Sequence, residues 1–237
     1  MEPTKQIDLT WLIPEFSKLT ILPQNGAELS TLFIALLIAV AGIFSLTFLF
    51  HFFKTRLNLT WLQKQLKGLN RDNILHKRDT LFSAAKSKEA GVGHLWLEFD
   101  ETLVEVKTSN GVFLRNTLDA GHFFNTHTLA KQVTENRLIA AVPGFLTAIG
   151  VIGTFVGLQL GLAGLNLGAG ASVGDMQIGI SNVVDGAKVA FLTSVWGVAL
   201  SVLFNFGEKW LEQRIRNRIR RLEDSIDRIF PRIRPED

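Results

Sequence analysis

No cysteine occurs in the 237 residues. That excludes a disulfide-stapled scaffold, thiolate-ligated zinc, iron–sulfur clusters and a thiol nucleophile. Two familiar catalytic signatures are absent as well: there is no GxxxxGK[ST] or HExxH segment. The five histidines, His51, His76, His94, His122 and His127, share no metal-ligand spacing. His122 and His127, five apart, read as surface histidines. The sequence thus points to no catalytic residue, no metal site and no cofactor. The remaining absence is charge. Asp, Glu, Lys and Arg make up 20% of the chain, against about 25% in an ordinary soluble protein.

The missing charge is concentrated in three places. Leu29–Phe53 has none, and neither do residues 138–174 and 189–207. What fills these stretches is apolar: the chain is 47% hydrophobic with a mean hydropathy of +0.22. That much apolar surface excludes disorder. About 20 apolar residues at roughly 1.5 Å each cross a bilayer. We therefore expect spans at 29–53, 138–165 and 182–206. The first follows an acidic segment and exceeds a signal-peptide core, so it reads as a retained span. The expected fold class is an all-α membrane protein with three transmembrane helices, helical cytoplasmic extensions and a small cytoplasmic subdomain carrying a hairpin signal.

Basic residues set the expected orientation. Of 25 Lys and Arg, 13 lie in 54–137 and 9 in 207–237. Residues 1–28 hold two, and the loop 166–181 holds none. The positive-inside rule puts the two basic segments in the cytoplasm and the N-terminus outside. The net charge of +3 and pI near 9.3 are then topological, and direct nucleic-acid binding is not expected.

The flanking segments have simple patterns. Residues 1–28, with Trp11, Pro14, Phe16 and Pro23, read as an interfacial, periplasmic segment. Leu59, Leu62, Leu66 and Leu69 predict an amphipathic helix running on from the first span until Gly91 and Gly93. Residues 94–103 read as another helix. Asn110-Gly111 between apolar alternations in 104–114 signals a hairpin, and 119–137 reads as helix. Leu211, Ile215, Ile219, Leu222, Ile226 and Ile229 form a seam at spacings of three and four. It predicts a helix over 207–237 packing against neighbouring subunits and beginning a tail. Glu208, Glu212, Glu223, Asp224 and Asp227 interleave with its arginines, which argues against a phosphate track.

Inside the spans the pattern is small residues and hydroxyls. Gly153, Gly157 and Gly161 recur every four residues, a spacing that lets another helix approach closely. Gly186, Ala190, Ser194, Gly197 and Ser201 form a matching small stripe that makes Gly197 a packing position too. Thr147 and Thr154 lie seven apart, and Thr193 and Ser194 sit mid-span. These four hydroxyls are the candidate lining of a partly polar interior. Ordinary helix packing, with each hydroxyl bonded to its own backbone, is the competing reading. Asp185 and Lys188, three apart near the outer end, are placed to pair. No carboxylate stands at mid-membrane, although ion relays usually use one. If the chain conducts an ion, a partner must supply that group.

The segment Ile149-Gly150-Val151-Ile152-Gly153-Thr154-Phe155-Val156-Gly157-Leu158 resembles the LGLLGTVxGL segment of the MotA/TolQ/ExbB proton-channel family. Ala190-Phe191-Leu192-Thr193-Ser194-Val195-Trp196-Gly197 resembles that family's later ALxATAxGLxxAI segment. Phe123-Phe124-Asn125 ahead of the Pro143-Gly-Phe-Leu-Thr147 span is most like the ZorA branch, the motor subunits of Zorya anti-phage defence. The resemblance covers roughly residues 29–230. It implies a subunit of an ion-driven inner-membrane rotary stator: a homopentamer around two single-span B subunits. Each B span carries an Asp that takes and releases the ion, H⁺ or Na⁺. Thr154 and Ser194 inherit the lining role by motif position. The resemblance also implies a long cytoplasmic helical tail, of which 207–237 would be the start. Two departures stand out. Thr147 occupies a position where members often have Pro, with Pro143 earlier here, and Lys188-Val189 stands where they often have Glu. An envelope or flagellar stator of the TolQ, ExbB or MotA type, and a purely structural membrane scaffold, remain alternatives. A solute transporter is disfavoured, because three spans without an inverted repeat or mid-membrane charge do not fit one.

Overall fold

The computed structural model describes residues 13–233 apart from 15, 22, 24, 72, 109–110, 164 and 166–171. Trp11, residues 166–171 of the expected outer loop and the Asn110 position of the expected turn therefore lie outside the described residues. After a short 3₁₀ turn at Phe16–Lys18, the elements are α1 (Gly26–Leu66), α2 (Ile74–Lys86), α3 (Val92–Glu101), β1 (Leu103–Thr108) and β2 (Gly111–Asn116). The short α4 (Ala120–Phe123), α5 (Thr126–Thr134), α6 (Arg137–Ala163) and α7 (Val173–Ile229) follow. Among the described residues three helices are long and apolar enough to cross a membrane, and the charge-free stretches fall largely on them. The chain divides into two units, residues 1–46 with 137–207, and residues 47–136 with 208–237.

In the first unit the helix starts follow from local chemistry. Asn25 accepts the Glu28 amide at 3.0 Å and donates back to the Glu28 carboxylate at 2.8 Å, closing the first turn of α1. Ser172 and Asp175 exchange the same kind of bonds, 2.9 and 3.2 Å, at the start of α7. This cap explains a correction. The third helix begins at Val173, not at 182, because the Ser172–Asp175 capping pair starts it there and a single glycine, Gly174, costs only about 1 kcal/mol. Leu37, Ala41, Val142 and Leu146 form a small core. Many large apolar side chains face outward, among them Leu46, Ile152, Phe155, Phe191 and Leu203. So much exposed apolar surface suits a bilayer and not water.

The second unit has its own larger core. Leu59, Leu62 and Leu66 of α1 meet Ile215, Ile219, Leu222 and Ile226 of α7, joined by Ile74, Leu81, Trp96, Phe99 and Phe230. The rings of Trp96, Phe99, Phe124 and Phe230 lie 5.4–6.2 Å apart, mostly edge to face. The seam of α7 is therefore buried inside this chain rather than kept for a neighbour. Helix α7 also stops at Ile229. Pro231 cannot continue the ladder, and residues 231–233 run beside β2: the Asn116 amide donates to the Pro231 carbonyl at 3.3 Å, and the Ile233 amide donates to the Asn116 carbonyl at 3.0 Å. So the expected helix over 207–237 ends eight residues early.

The hairpin forms in antiparallel register from Leu103 opposite Asn116 to Thr108 opposite Gly111. The expected single helix over 54–92 does not form. Gly68 takes φ +79°, a conformation that favours glycine and ends a helix. Asn70 and Asn73 then accept each other's amides at 2.9 and 3.0 Å, and Asn73 donates to the Gly68 carbonyl. The expected helix over 119–137 is likewise cut at Phe124, and Asn125 caps α5 through the Thr128 amide.

One ion pair ties α2 to α3. Arg78 reaches the nearly buried Asp100 carboxylate through Nε at 3.1 Å and Nη2 at 3.0 Å, and Nη2 also meets the Asp100 carbonyl. The hydrogen bond to Asp100 raises the Arg78 pKa above its ordinary value, against the opposing effect of burial. Removing the cation strands the acid. Arg78→Met should cost about 2–3 kcal/mol in the thermal unfolding of the purified chain. Adding Asp100→Asn should restore part of that loss.

Candidate functional site

The site expected from sequence is the contact between α6 and the part of α7 up to Gly207, within the first unit. The two helices run antiparallel at very short range. A Cβ built on Gly150 would stand 3.1 Å from the Gly197 Cα. One on Gly153 would meet the Thr193 hydroxyl at 2.6 Å. One on Gly157 would meet the Ala190 nitrogen at 2.8 Å, and one on Gly161 the Asn182 carbonyl at 3.0 Å. At these four positions a Cβ would press on the opposite helix, so glycine is favoured there for steric reasons. All four expected packing glycines, Gly153, Gly157, Gly161 and Gly197, lie in this seam. The seam holds two more, Gly186 of the matching small stripe and Gly150, which sequence reasoning did not single out as a packing position; their built Cβ atoms meet backbone of the opposite helix. The signal for Gly150 was available, since it continues the small-residue spacing of the named positions.

The four hydroxyls do not share one environment. Thr193 is fully buried in the seam opposite Gly153, with its hydroxyl 3.0 Å from both the Val189 and Ala190 carbonyls. Thr147, Thr154 and Ser194 are half-buried. At about 100° per residue, Thr147 and Thr154 sit roughly 50° to one side of the α6 glycine line, and Ser194 and Ser201 roughly 60° to one side of the α7 line. Because the helices are antiparallel, these offsets fall on the same side of the pair. A direct contact marks that side: Ser201 donates across the seam to the Pro143 carbonyl at 2.9 Å.

Helix α1 covers the other side. Its Leu37 and Ala41 pack with Val142, Leu146 and Ile149 of α6 and with Trp196 and Leu200 of α7. The pair therefore has one side packed by α1 and one side, uncovered among the described residues, that carries hydroxyls. Thr147 donates to the Pro143 carbonyl at 3.0 Å and Thr154 to the Val151 carbonyl. These bonds use each hydroxyl proton inward and leave the oxygen lone pairs free to accept from a cation or an acid proton.

Asp185 and Lys188 pair at 2.8 Å on the exposed surface of α7. Asp185 also borders a cleft of about 450 Å³, together with Asn25, Asn182, Gly157, Gly161 and Gly186. His122 and His127 are exposed and separate, and His127 lies 3.0 Å from Glu135 in the second unit.

Together these features define a multi-span membrane protein with a glycine-seamed helix pair that presents hydroxyls on one open side. Comparison with known proteins narrows this class. The family model of the anti-phage protein ZorA, Zorya type I system, matches residues 18–233, and the chain belongs to this ZorA-like family. A curated relative, the Zorya protein ZorA of Escherichia coli O139:H28, is 26% identical over 206 residues, covering 81% of this chain and 27% of that protein. The chain thus spans about a quarter of the length of the curated relative that it matches.

The seam makes a discriminating prediction. A methyl on Gly157 meets backbone on the opposite helix at 2.8–2.9 Å, whereas one on Gly144 meets nothing within 4 Å. Gly157→Ala should lower stability by about 1–3 kcal/mol, read as the unfolding temperature of the detergent-solubilised chain. Gly144→Ala should leave that temperature unchanged or slightly raised.

Proposed function

We propose that the chain is the A-type subunit of an ion-driven rotary stator in a bacterial inner membrane, acting in anti-phage defence. Five copies surround two single-span B subunits, whose mid-membrane Asp takes and releases H⁺ or Na⁺. Thr154 and Ser194 line the path beside that Asp, with Thr147 two turns further along α6. Thr193, locked inside the seam, holds the lining helices together. The subunit works by coupling ion passage to relative rotation and performs no catalysis of its own. Its N-terminus is periplasmic and its C-terminus cytoplasmic, as the basic segments 54–137 and 207–237 favour.

The observation that carries this reading is the open hydroxyl side of a seam that has no carboxylate of its own. Hydroxyl oxygens whose protons are bonded inward can accept, but they cannot hold and release an ion alone. A partner's carboxylate completes the chemistry. Membership of the ZorA-like family supports the same partner and the defence role. A purely structural scaffold is the second reading, favoured by the bonding of Thr147 and Thr154 to their own backbone.

The two readings part on substitution. In cells carrying the complete defence system, Thr154→Val and Ser194→Ala should abolish protection in a phage plating assay. Both variants should still co-purify with the single-span subunit. Wild-type protection by both would overturn the lining assignment and favour the scaffold.

A further inference from the structure

Where α7 leaves its charge-free stretch, one exposed aromatic stands out. Trp210 is 50% exposed, and Phe206, one turn earlier, is 71% exposed. One turn later the Arg214 guanidinium lies over the Trp210 ring, with its central carbon 3.7 Å from the ring centroid. The neighbouring cations are committed elsewhere: Lys209 and Arg216 pair with Glu212 at 3.2 and 2.6 Å. Among the described residues Arg214 makes no ion pair, and its one contact of this kind is the indole face.

An exposed indole is unfavourable in water and favoured at the boundary between acyl chains and headgroups. Stacking holds the guanidinium flat on the ring and leaves its N–H edge free. That edge matches two oxygens of a phosphate. The order along the helix is apolar Phe206, amphipathic Trp210 and cationic Arg214, which follows the polarity gradient of one leaflet from tail to headgroup.

We propose that Trp210 and Arg214 form a binding site for an anionic phospholipid in the leaflet on the basic side of the membrane. The indole takes the glycerol and upper acyl region, and the Arg214 edge takes the phosphate. The site lies outside the glycine seam and does not depend on the ion reading.

The test is a titration of the purified, detergent-solubilised full chain with palmitoyl-oleoyl phosphatidylglycerol, with phosphatidylcholine as the uncharged control. Native mass spectrometry counts the bound lipid. Wild type should prefer phosphatidylglycerol. Arg214→Gln should weaken that lipid about fivefold, the expected effect of one cation at a membrane surface. Trp210→Ala should do the same while keeping the charge. Arg220→Gln should change nothing. Because Arg214 is exposed, its variant should keep the lipid-free unfolding temperature and oligomeric mass of wild type. An unchanged phosphatidylglycerol preference in both Arg214→Gln and Trp210→Ala overturns the proposal. A fall in oligomeric mass in Arg214→Gln with lipid preference intact also overturns it, and assigns the face to a second copy of the chain.

Discussion

The first unit depends on the backbone-to-backbone approach of α6 and α7. In lipid, apolar side chains gain little by leaving the surroundings, so helices associate through close packing and interhelical hydrogen bonds. Glycine at 150, 153, 157 and 161, met by Gly186, Ala190 and Gly197, permits an approach that no side chain would. Thr193 packs its side chain against Gly153 and satisfies its hydroxyl on its own helix. With the seam so tight, the hydroxyls of Thr147, Thr154 and Ser194 sit to one side of it. One flank is taken by α1. The other keeps Thr147, Thr154 and Ser194.

That displacement gives the site its chemical character. A hydroxyl facing lipid without a partner is costly. Here Thr147 and Thr154 offset the cost by donating to carbonyls one turn back. Their oxygens stay available as acceptors. In the proposed function this flank of acceptors is half of an ion site, and the B-subunit Asp is the other half. The same arrangement gives the ZorA-like motif a physical sense: the glycines set the spacing, and the hydroxyls that follow them in sequence occupy the edge that the spacing creates.

Helices α1 and α7 each contribute to both units, and their character changes along their length. In the first unit their large side chains face outward. In the second, Leu59, Leu62 and Leu66 of one and Ile215, Ile219, Leu222 and Ile226 of the other turn into an aromatic-rich core. The seam of α7 looks in sequence like an oligomerisation stripe. It is spent inside the chain, because α2, α3 and the hairpin bring enough apolar surface to cover it.

The sequence by itself determined three helices long and apolar enough to cross a membrane, and four of the glycines at which α6 and α7 meet. Uninterrupted apolar length and small-residue spacing are local properties, and the bilayer tolerates few alternatives to a helix. It also signalled the hairpin through Asn110-Gly111 flanked by apolar alternation. The turn at Gly68, Asn70 and Asn73 was legible too, but the leucine stripe running across it masked it. What only the tertiary structure decided was sidedness. Thr193 and Ser194 are adjacent in sequence and equally polar. The antiparallel register places one in the seam and leaves the other on the flank. The position of α1 then decides which flank stays open. Both depend on contacts between residues distant in the chain, which no local pattern encodes.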